Sequence, residues 1–128
     1  MTLQRLFIIH ALIMLAAAVV LLAAPGLIPS AVNITLEHDS FLLAYLLGTA
    51  ELALAFLSYR SIRINDPKAL SIICMVFVVF HISTAAIELY AFVGGVDIKI
   101  LVNIFVRIIV AAAFAYYSSR QDYSGSAA

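Results

Sequence analysis

The sequence is poor in cysteine and in charged residues. Cys74 is the only cysteine, which excludes an intrachain disulfide and a metal site built from the cysteines of one chain. Seven basic and seven acidic residues give a formal net charge of zero, and no basic cluster resembles a nucleic-acid binding surface. We therefore expect no nucleic-acid partner, and we interpret Cys74 as a small buried apolar residue.

The sequence also lacks the short motifs of common catalytic and cofactor sites. It has no HExxH metal motif, no glycine-rich phosphate loop and no GxSxG nucleophile motif. A haem iron held by His10 and His81 is disfavoured, because their depths in their apolar segments differ by roughly 12 Å at the rise of an α-helix. We predict no catalytic residue, no metal site and no cofactor, and an enzyme ranks third among the functions considered.

Hydrophobic residues dominate instead. They make up 66% of the 128 residues, with a mean hydropathy of +1.15, more than a soluble domain of this size could bury. Apolar runs of about 18 residues or more are long enough to cross a membrane as helices. Four such runs predict an all-α integral membrane protein, an up-down-up-down four-helix bundle that uses residues 1–128 as one transmembrane domain. The predicted helices are at about 6–24, 41–59, 69–93 and 98–118.

The first apolar run could also be a signal peptide, since Arg5 precedes it and alanines end it. Its apolar stretch exceeds the usual length of about 7–15 residues, and Pro25 follows the candidate cleavage site. We interpret the run as a transmembrane helix.

The positive charges predict an orientation. Cytoplasmic loops of membrane proteins carry an excess of lysine and arginine. Lys99 is the only basic residue near the ends of the helices on one side, whereas both tails and the second connection share the other side. Both termini are therefore predicted to be cytoplasmic. The basic residues on that side are Arg5, Arg60, Arg63, Lys68 and Arg120.

Polar residues inside the apolar runs are the candidate functional site. Glu51 and Arg107 each lie about ten positions, roughly 15 Å, below the predicted outer edge, so the two side chains could meet at mid-membrane. Helical spacing also puts His81 and Glu88 on one face of the third helix, and Asn103 and Arg107 on one face of the fourth. The candidate residues are Glu51, His81, Thr84, Glu88, Asn103 and Arg107.

Three interpretations of this polar layer remain open. A static network would neutralise Arg107 with Glu51, or also with Glu88, inside the protein. A small-molecule pocket or proton relay would use the same residues, since ionisable groups at membrane depth often mark transport pathways. The charges could also face lipid or a neighbouring protomer.

Three parts of the sequence resemble a known group of proteins. They are the stretch Phe80-His81-Ile82-Ser83-Thr84-Ala85-Ala86, the Asp66-Pro67 loop, and the segment 103–117, which ends in Ala113-Phe114-Ala115-Tyr116-Tyr117. They resemble small uncharacterised four-helix bacterial membrane proteins akin to the DoxX-like families. The resemblance implies a four-helix bundle in a bacterial inner membrane and little about activity. Members tend to carry histidine near the positions of both His81 and Arg107. This chain has arginine at the second position and departs from the pattern there, so a histidine-based function shared with the group is not expected.

Two functions lead. The first is a non-catalytic accessory or interaction subunit of a larger membrane assembly, because the predicted helices use almost the whole chain and leave mainly lipid-facing surfaces for contacts. The second is a small-molecule binder or a proton-coupled carrier that uses the polar layer. The expected partners are membrane lipids, together with either a larger membrane complex or further copies of the chain.

Overall fold

The structure is a computed structural model that describes residues 2–125. The described residues form helices and the segments that connect them, and they contain no strand. Four segments are long and apolar enough to cross a membrane, so the prediction of an all-α chain with four long apolar helices is confirmed. The helices are α1 (Leu3–Ala23), α2 (Leu27–Ala31), α3 (Phe41–Ser61), α4 (Pro67–Val93) and α5 (Ile100–Gly125), with a 3-10 turn at His38–Ser40 before α3.

Two helices begin earlier than the apolar runs that predicted them, because polar residues cap their first turns. The Thr2 hydroxyl accepts a hydrogen bond from the Arg5 backbone N–H, 3.4 Å from nitrogen to oxygen. Asp66 accepts one from the Lys68 backbone N–H over 3.0 Å, and Pro67 occupies the first turn of α4. These contacts satisfy N–H groups that have no partner within the helix.

The segment between α1 and α3, which lies outside the four predicted helices, contains the short helix α2. This helix ends near Asn33, whose φ of 60° is in the left-handed region that asparagine tolerates better than most residues. A helix of five residues has no hydrophobic periodicity from which it could be predicted.

The chain forms two compact units, Met1–Arg63 and Ile64–Ala128. In the first unit α1 packs against α3, and in the second α4 packs against α5. Each unit is an antiparallel helical hairpin, as the contacts described next establish.

In the first hairpin, apart from the adjacent pair Leu6 and Phe7, the buried residues of both helices recur every three or four positions. Leu21 near the end of α1 contacts Gly48 in the first half of α3, and a Cβ atom at position 48 would lie 3.0 Å from the Leu21 Cβ. Glycine therefore lets the two backbones approach closely. The buried positions are Leu6, Phe7, His10, Met14, Ala18 and Leu21 on α1, and Ala44, Gly48, Glu51, Ala55, Ser58 and Ser61 on α3.

In the second hairpin the buried residues have a similar spacing, and the side chains at its centre are larger. The rings of Phe77 and Phe114 pack with centroids 4.8 Å apart near the middle of the helices. Toward the start of α4, away from the turn that joins it to α5, the hydroxyl oxygens of Ser71 and Ser118 lie 2.9 Å apart and form a hydrogen bond. These two contacts fix the register of α4 against α5.

Candidate functional site

Three of the six candidate residues meet in the second hairpin. The Asn103 amide nitrogen donates to Oε1 of Glu88 over 2.6 Å, and Nε of Arg107 donates to the same oxygen over 2.9 Å. The contact with Arg107 is also an ion pair. We call Glu88, Asn103 and Arg107 the polar clamp, because they join the end of α4 to the start of α5.

Helix geometry explains why these side chains meet. Glu88 lies five residues before the end of α4 at Val93, and Asn103 and Arg107 are one turn apart near the start of α5. Side chains on a helix lean toward its N-terminus. Arg107 therefore leans toward the turn between the two helices, where Glu88 is placed about 8 Å from the end of α4 at 1.5 Å per residue.

The ion pair is largely shielded from solvent. The Arg107 and Glu88 side chains are 13% and 18% exposed. The guanidinium carbon of Arg107 lies 5.9 Å from the centre of the Phe80 ring, within the range of a cation–π interaction. The clamp thus combines opposite charges, an amide donor and an aromatic wall, and it is electrically neutral as a whole.

One hydrogen-bond acceptor of the clamp has no donor in the part of the chain that the structure describes. Oε2 of Glu88 is buried and has no hydrogen-bond partner among the described residues. Both donors of the clamp converge on Oε1 and leave Oε2 without one. A buried acceptor of this kind requires a physical explanation.

Thr84 and His81 lie on the same helix as Glu88. The Thr84 hydroxyl donates to the backbone oxygens of Phe80 and His81, over 2.7 Å and 3.1 Å, so this side chain is bonded within its own helix. The buried His81 ring packs edge-on against Phe80, with centroids 5.3 Å apart. Phe80 therefore contacts both the imidazole and the guanidinium.

Glu51 lies in the other hairpin, on the buried side of α3 between Gly48 and Ala55. The carboxylate that the structure places on Arg107 is that of Glu88. The proposed pairing of Glu51 with Arg107 at mid-membrane stays a prediction.

A second polar contact, which His10 makes with Ser58, was not predicted from the sequence. Nδ1 of His10 lies 2.6 Å from the Ser58 hydroxyl oxygen and joins α1 to α3. Depth along the helices does not predict this pair, because His10 is seven positions after Leu3 whereas Ser58 is only three positions before Ser61.

The Ser58–His10 pair superficially resembles a nucleophile with its base. Both side chains are buried, with Ser58 at 0% and His10 at 3% exposure, so a substrate has no path to the hydroxyl. We interpret the pair as a hydrogen bond that fixes the register of the first hairpin, a common role for serine and histidine between membrane helices.

Among residues 2–120, no group of three histidine, cysteine or acidic residues is placed to hold a metal ion. No family model, curated protein or solved structure matches the chain. The resemblance to DoxX-like proteins therefore stays a prediction.

Proposed function

We propose that the chain is an integral membrane protein of the bacterial inner membrane, with its four long helices arranged as an up-down-up-down bundle and both termini in the cytoplasm. Four candidate spans support this proposal, and only 22–33% of each span is buried within the protein. The remaining surface is mostly large apolar side chains, which water would solvate poorly and lipid accommodates.

The orientation can be tested with single cysteines on a Cys74→Ala background. Thr35 and Asn65 are both exposed and lie in the first and second connections. We expect Thr35→Cys to react with a membrane-impermeant maleimide in intact cells, and Asn65→Cys to react only after permeabilisation, because the basic residues favour the cytoplasmic side. Labelling of both cysteines in detergent is the control, and the reverse pattern in cells would contradict the orientation.

We further infer that the protein is a non-catalytic accessory or interaction subunit of a larger membrane assembly. The observation that carries this inference is that the polar side chains of the clamp pair with one another. Glu88, Asn103 and Arg107 bond one another inside one hairpin, as a structural network would. With the charges used to hold α4 against α5, the exposed apolar faces are the surfaces that remain for contacts with other membrane proteins.

Photo-crosslinking in native membranes tests this role without solubilisation. Phe56 on α3 and Phe105 on α5 are 64% and 65% exposed, whereas Phe77 is 0% exposed. The photoreactive residue p-azidophenylalanine, which adds only an azide group to the ring, replaces each of them. We expect a discrete product with a different polypeptide from position 56 or 105, and none from the matched control at 77.

Lipid adducts alone, or a product containing only a second copy of the chain, would contradict an accessory role. The three variants can be compared directly, since each exchanges one phenylalanine for the same photoreactive residue.

One observation favours a second function, a binder of small polar molecules or a proton-coupled carrier. Oε2 of Glu88 is buried beside Arg107 and has no hydrogen-bond partner among the described residues. A solute with a hydrogen-bond donor, or a transferred proton, would satisfy this atom. A solute that raises the melting temperature of the native chain but not of Glu88→Gln would favour this function over the first.

A further inference from the structure

An open groove runs along one face of α4. Its volume is about 400 Å³, and all of its lining residues lie on this one helix, so it is a shallow surface depression. Apart from Ser71, which hydrogen-bonds to Ser118, the lining is entirely apolar. The lining residues are Ser71, Ile72, Met75, Val76 and Val79.

Lys68 lies at one end of this face. Ile72, Met75 and Val79 follow it at spacings of four, seven and eleven, which return to the same side of an α-helix. From Lys68 to Val79 the helix rises about 16 Å at 1.5 Å per residue. This length is close to half of a hydrocarbon core about 30 Å thick, the depth of a single lipid leaflet.

The charge at this end is positive. Lys68 is exposed, and its side chain leans toward the start of α4, away from the apolar groove. Asp66 uses its carboxylate as a helix cap on the backbone N–H of Lys68, and no described carboxylate forms an ion pair with the Lys68 ammonium group. Arg60 and Arg63 lie shortly before it in the sequence, so segment 60–68 is basic overall.

We propose that this face of α4 binds an anionic phospholipid. One acyl chain lies in the groove along Ile72, Met75 and Val79, and the phosphate group contacts the Lys68 ammonium. The distance from Lys68 to Val79, the apolar lining and the positive charge at the Lys68 end together match a lipid with a negative headgroup. The proposal rests on the membrane embedding proposed above and is independent of the accessory role.

The chain has no tryptophan, so one introduced tryptophan is a clean fluorescent reporter. The test uses Val79→Trp in phosphatidylcholine vesicles that contain a small fraction of acyl-chain-brominated phosphatidylglycerol or acyl-chain-brominated phosphatidylcholine. Bromine quenches tryptophan on contact. We expect a roughly fivefold binding preference for the anionic lipid, since one lysine near an anionic surface contributes about 1 kcal/mol.

Two controls assign the preference to the groove. Lys68→Gln should abolish it at the Val79→Trp reporter, whereas Lys99→Gln at the other end of the hairpin should leave it unchanged. A separate Ile87→Trp reporter, exposed on α4 outside the groove, should be quenched equally by both lipids.

The possible results are distinguishable. Equal quenching of Val79→Trp by both lipids, or a preference that survives Lys68→Gln, overturns the lipid site while leaving the membrane proposal intact. Quenching at position 87 but not at 79 shows that another protein segment covers the groove, which also overturns the site. No quenching at either position contradicts membrane embedding itself.

Discussion

Replacing Arg107 by glutamine is expected to lower the free energy of unfolding by about 3 kcal/mol, because the Glu88 carboxylate would keep its charge and lose its cation. Removing one partner of a fully buried ion pair costs about 3–5 kcal/mol. The lower end applies here, since the two side chains retain 13% and 18% exposure. Glu88→Gln should cost a similar amount, because it leaves the guanidinium unpaired.

The double variant Glu88→Gln/Arg107→Gln should recover most of the loss, because two neutral amides can hydrogen-bond without a stranded charge. A double-mutant cycle measured by unfolding in detergent gives the coupling energy directly. Additive single losses would mean that the clamp seen in the structure contributes no net coupling.

The same cycle with Glu51 tests the pairing predicted from the sequence. If Glu51 also neutralises Arg107, the Glu51→Gln and Arg107→Gln losses will be strongly coupled. If the clamp is the main partner, Glu51→Gln and Arg107→Gln will be closer to additive than Glu88→Gln and Arg107→Gln. Single changes that leave stability intact but abolish solute binding would favour the binder over the accessory subunit.

The long helices could be predicted because a run of about 20 apolar residues is a strong signal that needs no tertiary information. Their ends could not be read from hydropathy. Thr2 and Asp66 are polar, and they extend α1 and α4 through side-chain caps that a hydropathy window scores as loop. The five-residue helix α2 escaped for a related reason, since it is shorter than one hydrophobic repeat of two turns.

The contacts of the polar clamp could be predicted from the sequence only in part. Counting 1.5 Å per residue from the ends of the predicted helices puts Glu88 at about the level of Asn103, and the structure brings these side chains within 2.6 Å. The same depth counting, however, places the charge of Arg107 at the level of its Cα atom. An arginine reaches well beyond its backbone, and on a helix it leans toward the N-terminus. That direction carries the guanidinium of Arg107 up to Glu88.

The pair formed by His10 and Ser58 shows a different limit. Both residues lie on the buried sides of their helices, but the apolar residues of α1 and α3 are spread almost evenly around each helix. For a helix that spans a membrane, lipid and protein interior favour the same residue types, so hydrophobicity does not distinguish the inner face. Small and polar residues are then the better indicator, as the run Gly48, Glu51, Ala55 and Ser58 on α3 illustrates.

Replacing Gly48, which belongs to that run, is the second change expected to have a large effect on stability. Gly48→Leu should destabilise the first hairpin by about 3 kcal/mol, the upper part of the range for overpacked positions. The Cβ atom alone would lie 3.0 Å from the Leu21 Cβ and 3.1 Å from the Leu22 Cγ. The Leu21 Cβ is attached directly to the α1 backbone, so the two helices must separate to admit a larger side chain.

Gly48→Ala should change stability much less, because two effects oppose each other. Alanine is favoured over glycine within a helix by about 1 kcal/mol, while its Cβ forces a shift of a few tenths of an ångström at Leu21. The graded series Gly, Ala, Leu at position 48 therefore separates close packing from helix propensity. Thermal unfolding in detergent provides the measurement.

The matched control is Ala50→Leu, two residues further along α3 on its exposed surface. This change adds the same side chain to the same helix, but on a face directed away from α1, so the melting temperature should hardly change. Equal melting temperatures for Gly48→Leu and Ala50→Leu would show that the close approach at Gly48 does not limit the packing of α1 on α3. A loss confined to position 48 would instead establish glycine as the residue that sets the separation of these two helices.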